Sequence, residues 1–144
     1  MSEENISTAR RVIEEAFNQG NLEVMDEVCA DNFVDHDPLV GDQDREAAKQ
    51  SVSMYREAFP DLKFTIDDVY DAGDTVVMRW TAQGTFENEL MGLQPNHERG
   101  NPIHGIGIDR FEDGKIAESW TQWDTLTFMR DIGAIPAEAG APAG

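Results

Sequence analysis

Between Pro60 and Lys63 the hydrophobic rhythm of the chain changes, and the change fixes the kind of fold it can adopt. Upstream, Ile6, Ala9, Val12, Ile13, Ala16 and Phe17 recur at three- and four-residue steps, which predicts a helix over residues 6–19 with one apolar face. Gly20-Asn21 ends it, and a short helix over Leu22 to Val28 follows. An extended piece, Asn32–Pro38, turns at Val40-Gly41-Asp42. Asp44 is then placed to cap a second long helix, which Pro60 stops just after Phe59.

Downstream the period is two. Phe64, Ile66 and Asp68 alternate with Thr65, Asp67 and Val69, and Ala72-Gly73-Asp74 turns the chain into a strand from Thr75 to Phe86. Gly92, Pro95, Asn96 and Gly100 mark a long loop over 87–101. Two further strands, Pro102–Phe111 and Lys115–Asp124, meet at Glu112-Asp113-Gly114, and a short helix near Thr125–Ile132 follows. Helices first and a strand meander afterwards predict an α+β domain, a curved antiparallel sheet with helices over one face. The domain is expected to span 1–136, with 137–144, rich in Ala, Gly and Pro, as a flexible tail.

Composition narrows the function. Twenty-nine acidic against 11 basic residues give a net charge of −18, which repels nucleic acid and anionic membrane. Only three of the basic residues are Lys. The acids are spread along the chain, as on a surface adapted to high salt, where screening relieves self-repulsion. No apolar run is long enough to span a membrane, and no apolar segment follows the acidic N-terminus. Cys29 stands alone, so a reduced, cytoplasmic protein without disulfide is expected.

The last strand carries the richest chemistry. Ile116, Glu118, Trp120, Gln122 and Asp124 share one face by strict alternation; Ala117, Ser119, Thr121 and Trp123 share the other. Both faces are partly apolar, and pattern alone does not say which turns inward. If the first does, Asp124 sits at the end of a pocket beside Trp120, where desolvation would raise its pKa toward neutrality for acid/base work. An Asp here can equally serve as the N-cap of the following helix. His104, on the neighbouring strand, is the candidate to assist Asp124, against the alternative of a half-buried structural histidine. Trp120, His36, Trp80, Met54, Phe59, Gln122 and Arg79 are the candidate substrate contacts. Asp35-His36-Asp37 has the look of a metal fragment, but no matching His/Asp cluster exists elsewhere in the sequence, so no metal site is expected. Serine-nucleophile and phosphate-loop signatures are absent from the sequence.

Several segments in order resemble one family. They are Ala58-Phe59-Pro60-Asp61-Leu62, Gly73 to Trp80, Gly84-Thr85, and Arg110 to Trp120 followed by Asp124. Together they resemble the SnoaL-like polyketide cyclases, ester cyclases of the nuclear-transport-factor-two-like cone fold, over about residues 6–136. The resemblance implies a cone with one deep apolar pocket, commonly in a homodimer or higher oligomer packed through the sheet. It also implies cofactor-free, metal-free aldol-type cyclisation or isomerisation of a hydrophobic carbonyl compound, with Asp124 in the place of the family's acid/base Asp. Where many relatives have His after Gly-Thr, this chain has Phe86, and the later turn reads Pro95-Asn96-His97. A non-catalytic small-molecule binding module is the alternative reading. A water-adding hydrolase, such as an epoxide hydrolase built on Arg79, Glu118 and Asp124, is another.

Overall fold

The computed structural model describes residues 2–136, so the expected tail over 137–144 lies outside the described residues. Helix α1 (Ser2–Arg11) runs on into a π-helical stretch, Val12–Phe17, that turns Ile13 and Ala16 into the core. After it come α2 (Val24–Val28), β1 (Cys29–Asp37), β2 (Gly41–Asp44) and α3 (Arg45–Ala58). The meander then supplies β3 (Lys63–Asp71), β4 (Thr75–Gln83), β5 (Ile103–Glu112) and β6 (Lys115–Trp123), and α4 (Thr125–Asp131) closes the described chain.

Helix α3 forms where its punctuation places it. The Asp44 carboxylate accepts from the Ala47 N–H at 2.8 Å, and Ala48, Val52 and Ala58 form the buried face. Phe59, forced toward extended backbone by Pro60, ends the helix at φ −124°.

The six strands form one open, curved sheet in the order β2-β1-β6-β5-β4-β3. It is mixed, which corrects the expected all-antiparallel sheet: β1 runs parallel to β6, with His36 opposite Trp120. No short turn links these two strands, so hairpin geometry does not dictate their direction. Gly41 and Asp42, read with Val40 as a turn from sequence, belong to β2, which pairs with β1 as a short edge strand. At the other edge, Asn18 imitates a strand partner. Its side chain accepts from Phe64 N–H at 2.7 Å and donates to Phe64 C=O at 2.9 Å. This fastens β3 to the end of the helical layer.

Two apolar clusters fill the space between helices and sheet. One gathers Ile13, Val24, Phe33, Val76, Met78 and Ile116; the other gathers Phe59, Phe86, Leu90, Phe128 and Ile132. Trp123 packs against both.

A bulge in β6 decides what the sheet presents inward. Arg110 pairs with Glu118, but Phe111 pairs with Ile116, so Ala117 is an extra residue. Ile116 and Ala117 are consequently both buried. Beyond the bulge the odd-numbered residues Ser119, Thr121 and Trp123 face the helices, while Trp120 and Gln122 face out. Strict alternation counted from Ile116 therefore assigns the outer part of the strand to the wrong side.

Candidate functional site

One cavity of about 210 Å³ lies between the sheet and the helical layer. Its walls are aromatic and aliphatic: Phe17 from the π-helical stretch, Phe59 after α3, Phe64 and Trp80 from β3 and β4, Phe86 from the long loop, and Phe128 from α4. Trp80 can lie flat because β5 has glycine beneath it; a Cβ on Gly105 would come within 2.3 Å of the indole. Exposed Glu98 and Asn101 mark the mouth. There Asp131 at the end of α4 clasps the loop, accepting from Asn101 N–H at 2.9 Å and from the Asn101 side chain at 2.8 Å.

The floor is polar, and strand register builds it. Gln43 of β2 stands opposite Asp35 of β1, Asp35 opposite Ser119 of β6, and Ser119 opposite Asp109 of β5. All four side chains line the cavity, in one row across four strands. Ser119 donates its hydroxyl proton to Asp109 at 2.6 Å. Thr121 donates to one oxygen of Asp35 at 2.9 Å, and the Gln43 amide approaches the other at 3.4 Å. Ser51 of α3 donates to the Gln43 carbonyl, which fixes the direction of that amide. A third carboxylate, Asp37, accepts from Trp123 Nε1 at 3.1 Å and from the N–H groups of Leu39 and Val40.

Desolvation dominates the electrostatics of this row. Burial pushes the Asp35 carboxyl up to about 6, with Asp37 adding like-charge repulsion and the Thr121 hydrogen bond opposing. Burial also pushes Asp109 up to about 6, opposed by Ser119 and reinforced by the charge of Asp35. Burial and the nearby Asp37 raise the Tyr55 phenol, also in the lining. Among the described residues no Lys, Arg or His lines the cavity, and the charge of His36 behind the sheet opposes the rise of Asp35 only as the least of its causes.

The residues singled out from sequence divide sharply. Trp80 and Phe59 line the cavity; Met54 packs in the second apolar cluster outside its lining. Asp124 stands exposed at the start of α4, accepting from Thr127 N–H at 3.1 Å and from the Thr127 hydroxyl at 2.6 Å. These bonds hold its carboxyl below the ordinary value, opposite to the expected rise. The geometry is that of the N-cap. His104 is exposed on the outer face, 3.0 Å from the Thr81 hydroxyl. Trp120 is 39% exposed on the same face, and Gln122 is exposed beside it.

His36 also points outward, bracketed by Glu118 at 2.6 Å and Asp42 at 2.7 Å, with its ring 5.7 Å from Trp120. Glu118 foremost, then Asp42, raise its pKa. Arg79 is engaged by Asp68 on the outer surface. Arg79, Glu118 and Asp124, the set weighed for water addition, are thus held by separate partners and none lines the cavity. Among the described residues, no cluster of three or more His, Cys, Asp or Glu is arranged to hold a metal, and no helix is long and apolar enough to cross a membrane.

Sequence reasoning missed Asp35, Asp109, Ser119 and Thr121. The available signal was Gly105-x-Gly107-x-Asp109: small residues at every second position of an apolar strand mark the face that must leave room for a ring and a ligand.

A curved open sheet closed by helices over one apolar, acid-floored cavity defines a small-molecule-binding cone. The sequence model of the SnoaL-like polyketide cyclases matches residues 7–132, and the chain belongs to that family. IdmH of Streptomyces antibioticus, for which polyketide cyclase activity has been suggested, is 30% identical with a TM-score of 0.77, covering 90% of this chain and 98% of IdmH. A SnoaL-like protein of Jannaschia sp. CCS1 superposes with a TM-score of 0.83 at 22% identity, over 94% of this chain and 95% of its own. AclR of Streptomyces galilaeus, for which hydroxylase activity has been suggested, superposes at 0.82 and 23% identity over 94% and 100%. At such identities the last two show the fold alone. No curated protein matches the chain.

Proposed function

We propose that the protein carries out cofactor-free acid/base chemistry, an aldol-type cyclisation or isomerisation, on a hydrophobic carbonyl compound held in the cavity, with Asp35 and Asp109 as the proton-transfer groups. One observation carries the reading: two carboxyls raised to about 6 share the floor of an otherwise apolar cavity. Near that pH the singly ionised form of the pair is well populated, and it holds a base and an acid together. The carboxylate takes a proton from the carbon beside a carbonyl. The enolate carbon attacks a second carbonyl, and the carboxylic acid gives its proton to the new alkoxide, leaving the proton count unchanged. Ser119 and Thr121 orient the two groups, and the aromatic walls hold the chain in a folded, reactive shape. The outer sheet face, where Ile106 and Trp120 are exposed, is the surface we propose for a homodimer.

The test is deuterium incorporation from D2O at the α-carbon of aromatic 1,3-diketones, followed by proton NMR. The protein should accelerate exchange, and Asp35→Asn and Asp109→Asn should each lose about 10²- to 10⁴-fold of that acceleration. Full exchange activity in both variants would refute the assignment.

A further inference from the structure

The charge inventory of the cavity carries information about its ligand. Asp35, Asp37 and Asp109 lie along its floor, Glu98 and Asp131 near its mouth, and no basic side chain is in the lining. Asp109 spends one oxygen on Ser119; the other accepts no hydrogen bond from the described residues. Phe17, Phe64, Trp80 and Trp123 line the same cavity. Rings present negative faces to a cation, and carboxylates supply the full charge, so the two together recognise ammonium groups. A carboxylic acid or phosphate would meet only like charge there. The overall charge of −18 adds a field that concentrates cations around the molecule.

We infer that the compound taken into this cavity bears a basic nitrogen on an apolar body, its ammonium group seated between Asp35 and Asp109 and over the neighbouring aromatic faces. The inference rests on the acid/base reading of the same two residues and gives that reading a substrate class. The negative charge of the pair attracts the ammonium group, while the ionised and the protonated carboxyl keep the base and acid roles proposed above. The groups that bear on this pair are Asp37, His36 and Cys29 of β1, Tyr55 of α3, and the hydroxyls of Ser119 and Thr121. At about 210 Å³ the cavity is smaller than the roughly 300–1,000 Å³ pockets that take drug-sized ligands, which favours a compact occupant.

Three matched probes test it: phenylbutylamine, phenylbutanol and phenylbutanoate, each titrated calorimetrically into the full-length protein. The amine should bind at least tenfold more tightly than the alcohol at pH 7.5, and the carboxylate should not bind. Amine affinity should rise about fivefold between pH 5 and 7 as the pair ionises, while the alcohol stays flat. Asp109→Asn and Asp35→Asn should each lower amine affinity and leave the alcohol unchanged, which separates cavity binding from attraction to the acidic surface. Equal binding of amine and alcohol, or an amine preference that survives both substitutions, overturns the inference. Carbon-13 NMR titration of the two carboxyls tests the parent reading separately. Values near 6 without amine preference sink only the ligand class, whereas ordinary carboxylate values with amine preference sink only the acid/base roles.

Discussion

Asparagine at position 109 keeps the shape of the native side chain but has no charge to desolvate, so Asp109→Asn isolates the cost of ionising a carboxyl on the cavity floor. In the folded protein Asp109 titrates at about 6, against 3.8 for the ordinary group. The folded state therefore prefers the protonated form. The stability contributed by that preference is fully present below pH 3.8 and is lost as pH rises through 6. A gap of a little over two pH units corresponds to about 3 kcal/mol, all of it lost by pH 8 and about half of it by pH 5.

The amide accepts the Ser119 hydrogen bond, made to the native residue at 2.6 Å, just as the carboxylate does. Asp109→Asn should then be more stable than the native protein by up to about 3 kcal/mol at pH 8. For a domain of this size that is a Tm gain of roughly 6–12 °C, falling to about half at pH 5 and to nothing near pH 3. Thermal unfolding followed by circular dichroism, with both proteins scanned at the same pH values, measures it. A variant less stable than native at pH 8, or a gain that does not change with pH, would refute the desolvation argument.

Asp124→Ala removes two hydrogen bonds to Thr127 and should cost about 1 kcal/mol, a Tm loss of roughly 2–4 °C, with deuterium exchange at the native rate. A fall in exchange without a fall in Tm would return this residue to the chemistry. Gly105→Ala drives a Cβ into the Trp80 indole and should destabilise by about 1–3 kcal/mol, read by urea unfolding; Trp80→Leu in the same chain should recover part of the loss. Ile106→Glu places a charge on the outer sheet face where Ile106 is 47% exposed. If the proposed homodimer packs through this face, light scattering should report a smaller particle than native, and an unchanged mass would refute that proposal.

The helices and the meander were legible because their signals are local: Asp44 and Pro60 bracket α3, and Ala72-Gly73-Asp74 and Glu112-Asp113-Gly114 turn the strands. The site was less so, for two non-local reasons. A single extra residue, Ala117, reverses the parity of β6, so Trp120, Gln122 and Asp124 were assigned the face that belongs to Ser119, Thr121 and Trp123. The parallel pairing of β1 with β6 joins residues more than 80 positions apart, and only that pairing sets Asp35 in the row with Ser119 and Asp109. In Asp35-His36-Asp37 the eye is drawn to the histidine, yet the strand turns the two acids inward and leaves His36 outside. Phe59 and Trp80 do line the cavity, because bulky rings on apolar faces need no register to be buried.

The β1–β6 pairing also bears on biosynthesis. As the polypeptide leaves the ribosome, β1 emerges early and can add its own short hairpin with β2, but its other hydrogen-bonding edge has no partner until the last strand is made. For most of translation that edge is open to a neighbouring nascent chain. Chains cut short before Lys115 should therefore be retained by chaperones, and closing the sheet should be the slow, late event of folding.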